Sequence, residues 1–410
     1  MSEEMSKPEI REIKEIIGRL DGWISANGWA GYDPYSAKEF SFFTKINRWP
    51  RKPPFRLVRY ILFNSVEYFP RLWLAAFKCP KRINAKAMGL FAKAYLNLYE
   101  VTGAVKYLEK GKECLDWLTQ NSNTKYHGYS WGYPFDWDSV VWIPQGTPSS
   151  VVTFTVADAF WKAYCLLKDT KYLNICKGAC EFFLRDLNQD TIDSGCVCFS
   201  YTPLDQMHVY NATLFVSEFL MRVGNEINNS IYVETGRKAC NYVISNQKAS
   251  GAWNYFGPED KMPDSVDHFH TGFVLRMLYA INEHENTLSL RQAIKKGFDY
   301  YIKNLFDKDG LPKFTEHNKY PINIHSLSEA LLTISVYKKE YHDAFEHIQR
   351  ILSWTQKKMQ HRTGYFYYIK NKFMTVKIPY IRWSQAWMLL SLSEILKYFY
   401  SLNSEGKMQL

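Results

Sequence analysis

The sequence predicts an all-α protein built as a closed ring of six helical hairpins, an (α/α)6 toroid. Long helical periodicities dominate its 410 residues. They alternate between an amphipathic and an almost wholly apolar type, and the pair recurs six times, once in about sixty residues. An open solenoid of helical pairs usually runs at shorter periods, about 34 to 47 residues, so the ring is the expected closure. One domain spanning residues 1–410 is predicted, with a basic, aromatic-rich insertion at about 36–84.

The amphipathic type is clearest in KYLNICKGACEFFLRDLN, where Tyr172, Cys176, Ala179, Cys180, Phe183 and Leu187 share one face. The same template returns in Tyr107, Gly111, Cys114, Leu115 and Leu118, and in Tyr232, Gly236, Ala239 and Val243. It returns again in Leu290, Ile294, Gly297, Phe298 and Tyr301, and in Tyr341, Phe345, Ile348 and Leu352; the stretch from Glu9 to Ala26 is the sixth copy. A glycine with nearby aromatics follows each copy: Gly28, Gly128, Gly195, Gly251, Gly310 and Gly364. A helix-ending glycine accounts for this signal.

The second helix of each pair reads AKAMGLFAKAYLNLYEV, SVVTFTVADAFWKAYCLL, YNATLFVSEFLMRV, FHTGFVLRMLYAIN, HSLSEALLTISVY and RWSQAWMLLSLSEILKYF in turn. Helices apolar over most of their circumference are buried, so these form the inner ring. All loops from outer to inner helices then lie at one end, and the inner-helix N-termini open into one basin.

Composition agrees with a large core: 17% of residues are aromatic, including 13 Trp and 29 Tyr, which excludes disorder and leaves rings to line a sugar-sized groove. The eight cysteines fall mostly on apolar helix faces and read as buried thiols. Neither Cys196-x-Cys198 nor the Cys176/Cys180 pair matches a zinc motif, so no metal site is expected, although a calcium ion at the mouth carboxylates stays open. The charged N-terminal run MSEEMSKPEIREIKEII lacks the apolar core of a signal sequence, and a cytoplasmic location is expected.

The net charge of +10 is local. Between Lys45 and Lys86 there are eleven Lys and Arg against the single acid Glu67, while the rest of the chain is balanced. Together with the apolar runs LVRYILF and RLWLAAF, this predicts peripheral contact with an anionic membrane on its cytoplasmic face, or with an anionic ligand; a solvated insertion packed on the body is the plainer alternative. No recognition motif accompanies the charge, so nucleic acid is not an expected partner.

The six mouths carry the candidate site residues. The first holds Arg82, Asn84 and Lys86, joined by Tyr32 and Asp33 of the GYDPY loop; the second Trp131, Asp136, Trp137 and Asp138; the third Tyr201, Asp205 and Tyr210; the fourth Asp267, His268 and His270; the fifth His325 and Glu329; the sixth Arg382 and Trp383. Convergent polar groups in a concave aromatic basin suit carbohydrate, and helix N-termini with Arg382 favour an acidic sugar. Asp205 and Asp267 can equally be N-caps. His268 and His270 cannot both face one way on a helix, and the spacing to Asp267 turns His270 toward the cavity. His325 and Glu329 read either as a mutually satisfied pair or as an acid–base element.

The segments WGYPFDW, IPQGTPS, CFSYTPLD with VYNATL, DHFHTGFVL, YPINIHS and RWSQAW, with the GYDPY opening, resemble VpsJ-type polysaccharide biosynthesis proteins. The resemblance runs from about Gly28 to Leu396 and implies a six-hairpin, glycosidase-like fold and a role in surface-polysaccharide assembly. It implies no single reaction. A glycosidase would use Asp267 as acid with Asp138 or Asp205 as base. An epimerase or lyase would use His270 and His325 to move a carbon-bound proton near Arg382. A non-catalytic sugar-binding component is the third class. Glycoside hydrolysis is the leading expectation. No phosphate-loop, dinucleotide or HExxH motif is present, so chemistry without a cofactor is expected.

Overall fold

The computed structural model describes residues 8–407; the first seven residues of the charged N-terminal run lie outside them. In chain order the helices are α1 (Pro8–Asn27), α2 (Ser41–Asn47), α3 (Phe55–Tyr68), α4 (Pro70–Ala76), α5 (Ala85–Thr102), α6 (Val105–Gln120), α7 (Ser150–Leu167) and α8 (Thr170–Arg185). They continue as α9 (Tyr210–Glu226), α10 (Ser230–Ser245), α11 (His268–His284), α12 (Leu288–Asn304), α13 (Ile324–Val336), α14 (Ala344–Met359) and α15 (Trp387–Lys407), the last preceded by a π-helical turn, Ile381–Ala386.

Helices α5, α7, α9, α11, α13 and α15 each pack on the next, and α15 packs on α5, which closes the inner ring. Helices α6, α8, α10, α12, α14 and α1 wrap it, each against its own inner partner. The molecule is therefore the all-α (α/α)6 toroid that the alternation predicts. The physical cause is the apolar circumference of the inner helices: Leu90, Phe91, Val152, Phe160, Leu214, Phe219, Leu275, Leu331 and Leu389 are all buried in one continuous core. Burial of each such side chain is favourable by about 1.5–3 kcal/mol.

Inner helices turn back to outer ones through short links. Gly103 and Lys168 take left-handed conformations at the ends of α5 and α7 and donate their N–H groups to Tyr99 and Tyr164. Outer helices reach inner ones through long loops, and these build the mouth. They carry short antiparallel pairs: β3 (Trp137–Asp138) with β4 (Trp142–Ile143), and β5 (Gln189–Asp193) with β6 (Cys196–Phe199).

The loop glycines differ from expectation. Only Gly28 directly follows its helix, donating to Ile24 O at 2.8 Å. Gly128 and Gly364 lie well past α6 and α14, where they touch the backbone of the next outer helix. A Cβ at Gly128 would stand 2.1 Å from Gly178 O, and one at Gly364 would stand 2.0 Å from Arg19 O. Close approach between neighbouring hairpins, not helix termination, requires glycine there.

The insertion leaves the ring between α1 and α5, and its stem is closed by β1 (Ala30–Gly31) against β2 (Arg82–Ile83). It has a small core of its own, in which Phe43, Val66, Leu74 and Cys79 pack against Tyr368, Ile369, Val376 and Tyr380. Part of that core comes from the hairpin of β8 (Ile369–Lys370) and β9 (Thr375–Val376), which also pairs with β7 (Ile322–Asn323) ahead of α13. The insertion thus sits on the rim between the sixth and second mouths. Six of the eight thiols are buried as expected, but Cys165 is exposed on α7 and Cys196 is half-buried.

Candidate active site at the inner-helix mouths

Asp267 caps α11: one carboxylate oxygen accepts the backbone N–H of His270 at 3.0 Å, and the other lies 2.6 Å from His270 Nδ1. The cap reading of Asp267 therefore holds, and the same carboxylate also engages the His270 ring. Burial by itself would raise the Asp267 pKa, but the His270 charge and its two hydrogen bonds outweigh it and hold the group below the usual range. A carboxylate only accepts, so Nδ1 carries a proton, and in the neutral ring the lone pair is left on Nε2. His270 remains about a quarter exposed, its ring 4.4 Å from that of Tyr255.

His268 points the other way, as the spacing requires. Its ring is fully buried against Tyr301 of α12 and Phe306, which removes it from the basin. Desolvation pushes its pKa down to about 3.

His325, at the start of α13, is 2% exposed and boxed by rings: Phe269 at 4.7 Å, Trp383 at 4.8 Å and Trp387 at 4.7 Å. Neither ring nitrogen has a hydrogen-bond partner. Burial, followed by the fields of Lys86 and Arg382, holds its pKa well below the ordinary histidine value, so it is a neutral imidazole. His270 and His325 share Phe269 as a neighbour, since that ring also lies 4.1 Å from His270. Glu329 is not the partner of His325. It forms a bidentate pair with Arg276, one turn and a half further into α11, at 2.6 and 3.0 Å. Further ion pairs among Lys93, Asp158, Arg222 and Glu218 link α5, α7 and α9.

Arg382 is equally committed. Its guanidinium is bidentate to Asp33 at 2.6 and 2.8 Å and lies between the rings of Tyr133 and Trp383, at 5.1 and 5.0 Å. Trp383 Nε1 donates to Asn323, the cap of α13, at 2.9 Å. Trp383 and Trp137 stay half-buried, and Trp137 stands edge-on to Tyr201 at 5.4 Å. These rings, with Tyr35, Tyr133 and Tyr255, form an aromatic wall.

Other expected residues lie elsewhere or are fully engaged. Asp205 does not cap α9; its buried carboxylate accepts from the N–H groups of Tyr201, Thr202 and Met207 and from Thr202 Oγ1, closing a turn. Asp138 accepts from Asn47 at 3.1 Å and lies 3.9 Å from Arg48, so the insertion holds it. Asp136 accepts the Gln145 N–H at 2.7 Å. Trp131 is a core residue whose Nε1 donates to Leu118 O, and Tyr210 is buried against Tyr242. Among the described residues no cluster of three His, Cys, Asp or Glu is placed for a metal ion.

Sequence reasoning passed over Arg276, Tyr255 and Trp387, and placed Lys86 at the first mouth without giving it a role. A lone arginine inside the apolar run FHTGFVLRMLYAIN was the legible signal for Arg276. Lys86 opens α5 just past its cap Asn84 and is 4% exposed, its Nζ 5.5 Å from the Trp387 ring centroid.

No protein-family profile matches the chain, and no curated protein matches it in sequence. Its fold is similar to solved structures. A cellobiose 2-epimerase from Bacillus thermoamylovorans B4167 aligns at 13% identity with a TM-score of 0.64, covering 77% of this chain and 88% of the epimerase. A polysaccharide lyase aligns at 12% identity and TM-score 0.59, covering 96% and 99%. A glycosyl hydrolase family 88 protein from Bacteroides vulgatus aligns at 10% and 0.58, covering 95% and 99%. At these identities the likeness shows the architecture: the chain has the six-hairpin toroid of these sugar-processing enzymes.

Proposed function

We propose that the protein is a carbohydrate-active enzyme that moves a proton on and off a sugar carbon, as an epimerase, isomerase or lyase does. The observation that carries this is the Asp267–His270 dyad at the mouth of α11, with the neutral His325 beside it under an aromatic wall. His270 Nε2 is the base, and Asp267 holds its tautomer and steadies the imidazolium that forms. His325, uncharged, donates a hydrogen bond to the sugar oxygen on which negative charge develops. The rings of Trp137, Tyr255 and Trp383 face the apolar surface of the pyranose.

This departs from the leading sequence expectation of hydrolysis. An acid catalyst needs a raised carboxyl pKa, whereas that of Asp267 is lowered, and Asp205 has no lone pair to spare for water. The resemblance of the mouth segments to VpsJ-type proteins is the ground for a substrate from surface-polysaccharide assembly. Incubation in deuterium oxide with acidic and N-acetylated sugars and oligosaccharides, followed by NMR and mass spectrometry, tests the reading. Deuterium at a ring carbon is expected; new reducing ends without deuterium would replace it with hydrolysis, and binding without either product would leave a sugar-binding protein.

We also propose that the insertion seats the enzyme on the anionic face of a membrane. Helix α3 buries only Val66, while Leu57, Tyr60 and Ile61 are 60, 67 and 55% exposed, and Leu72 of α4 is 67% exposed. The exposed cations Lys45, Arg48, Arg51, Lys52, Arg56, Arg71, Lys78 and Lys81 lie on the same insertion. Apolar side chains for the acyl boundary and cations for lipid phosphates are what such a surface needs. Charge reversal at Arg51, Lys52 and Arg56 should cut sedimentation with phosphatidylglycerol vesicles tenfold or more, at about 1 kcal/mol per charge; unchanged binding would remove the membrane role.

A further inference from the structure

Among the described residues three Lys and Arg side chains act on His325 through their charge, and two of them are spoken for: Arg382 by Asp33 and Arg276 by Glu329. Lys86 is the third. Among the described residues its Nζ has no hydrogen bond or ion pair; what lies against it is the face of Trp387 at 5.5 Å. A buried amine without an acid partner is unfavourable as an ammonium and persists as a neutral group until a counter-charge arrives. The groups that act on it are Arg382, Asp33 and Glu329, with His325 close enough to feel its charge. The acids among them are already paired, so the only counter-charge that fits is one the ligand brings.

We propose that Lys86 receives a substrate carboxylate, so that the sugar handled here is a uronate. This rests on the proton-transfer reading of the same basin and gives it a chemical reason. His270 Nε2 takes the proton from the carbon that bears the carboxylate, and the C–H electron pair becomes the C=C bond of an enediolate. The negative charge this places on the carboxylate oxygens meets the Lys86 ammonium. Return of a proton to the opposite face gives the epimer; departure of the oxygen substituent on the next carbon, with its electron pair and a proton, gives the unsaturated sugar. No oxidant or reductant enters. Arg382 is the weaker anion receptor, because Asp33 neutralises its charge and occupies the Nε–Nη2 edge of its guanidinium.

Burial, and after it Arg382, holds the Lys86 pKa well below the ordinary lysine value. An arriving carboxylate raises it again, so uronate binding at neutral pH should draw a proton from the buffer. Isothermal titration calorimetry of the whole chain with glucuronate, galacturonate and glucose, in two buffers of different ionisation enthalpy, reads both effects. The expected result is at least tenfold tighter binding of a uronate than of glucose, with proton uptake. Lys86→Met, which keeps the stem and the Trp387 contact, should erase the preference and the uptake and bring uronate affinity down to that of glucose.

Equal affinity for uronate and glucose, or a preference that survives in Lys86→Met, overturns the proposal. Inorganic phosphate binding in place of uronate, lost in Lys86→Met, also overturns it and makes the ligand a sugar phosphate. Binding needs no turnover, so the two readings fail separately. A uronate preference without deuterium exchange keeps Lys86 as the receptor and removes the chemistry; exchange into neutral sugars without preference does the reverse.

Discussion

Asp267→Asn separates the two tasks of one side chain. Asparagine is as good an N-cap as aspartate, so the bond now made at 3.0 Å from the His270 N–H survives and stability should fall by less than about 1 kcal/mol. With the amide oxygen kept by the cap, the amide NH2 is left facing His270 Nδ1, where a carboxylate oxygen now stands at 2.6 Å. An NH2 donates, so the imidazole must accept there and carry its proton on Nε2, which removes the base from the basin. The charge-assisted bond lost is worth about 1.5–3 kcal/mol, and through the transition state that is a fall of about 10- to 150-fold in the rate of deuterium incorporation. Tautomer reversal adds to it. Asp267→Ala is the companion variant: it loses the cap as well, about 0.5–2 kcal/mol, and should melt lower than Asp267→Asn with no less damage to exchange. Exchange at the wild-type rate in Asp267→Asn would refute the dyad, and a Tm drop equal to that of Asp267→Ala with exchange intact would make Asp267 a cap alone.

Other expectations follow from the same geometry. His325→Phe removes two buried ring nitrogens without partners from an aromatic box; it should raise stability by about 1–3 kcal/mol and abolish exchange, and retained exchange would remove His325 from the chemistry. His268, with its folded pKa lowered to about 3, stays neutral while the unfolded chain takes up a proton at the ordinary value of 6.5. Stability should therefore fall as pH drops from 6.5 toward 3, and His268→Phe should flatten denaturant-derived ΔG against pH by about 1.4 kcal/mol per unit in that window; an unchanged slope would contradict its burial as a neutral ring. His208, held between Asp190 and Asp260, acts in the opposite sense: its raised pKa contributes stability below 6.5 that is lost as pH rises through the folded value. Gly364→Ala forces a Cβ against Arg19 O at a φ of +110° and should cost at least about 1–3 kcal/mol in thermal unfolding, whereas Gly22→Ala, in open space on α1, should gain about 0.8 kcal/mol. Equal Tm for the two would show that the hairpins do not meet at Gly364.

The sequence by itself determined the ring, the end at which the inner-helix N-termini gather and the side to which His270 turns. Each of these follows from local periodicity: apolar circumference separates inner from outer helices, and three-residue spacing joins Asp267 to His270 while excluding His268. Which charges cancel was decided only by the tertiary structure. Arg382 looked like the anion receptor until the fold brought Asp33 to it from 349 positions away, and Glu329 looked like the partner of His325 until Arg276 crossed from α11. Asp138 read as a basin carboxylate, but Asn47 arrives on an insertion whose docking no local pattern encodes. Lys86 read as one of several polar groups at the first mouth, and only the fold shows that it is buried against Trp387 with no acid partner among the described residues. Residue type and helical phase are written along the chain, but a counter-ion is a neighbour in space, supplied by whichever hairpin the closed ring sets beside it.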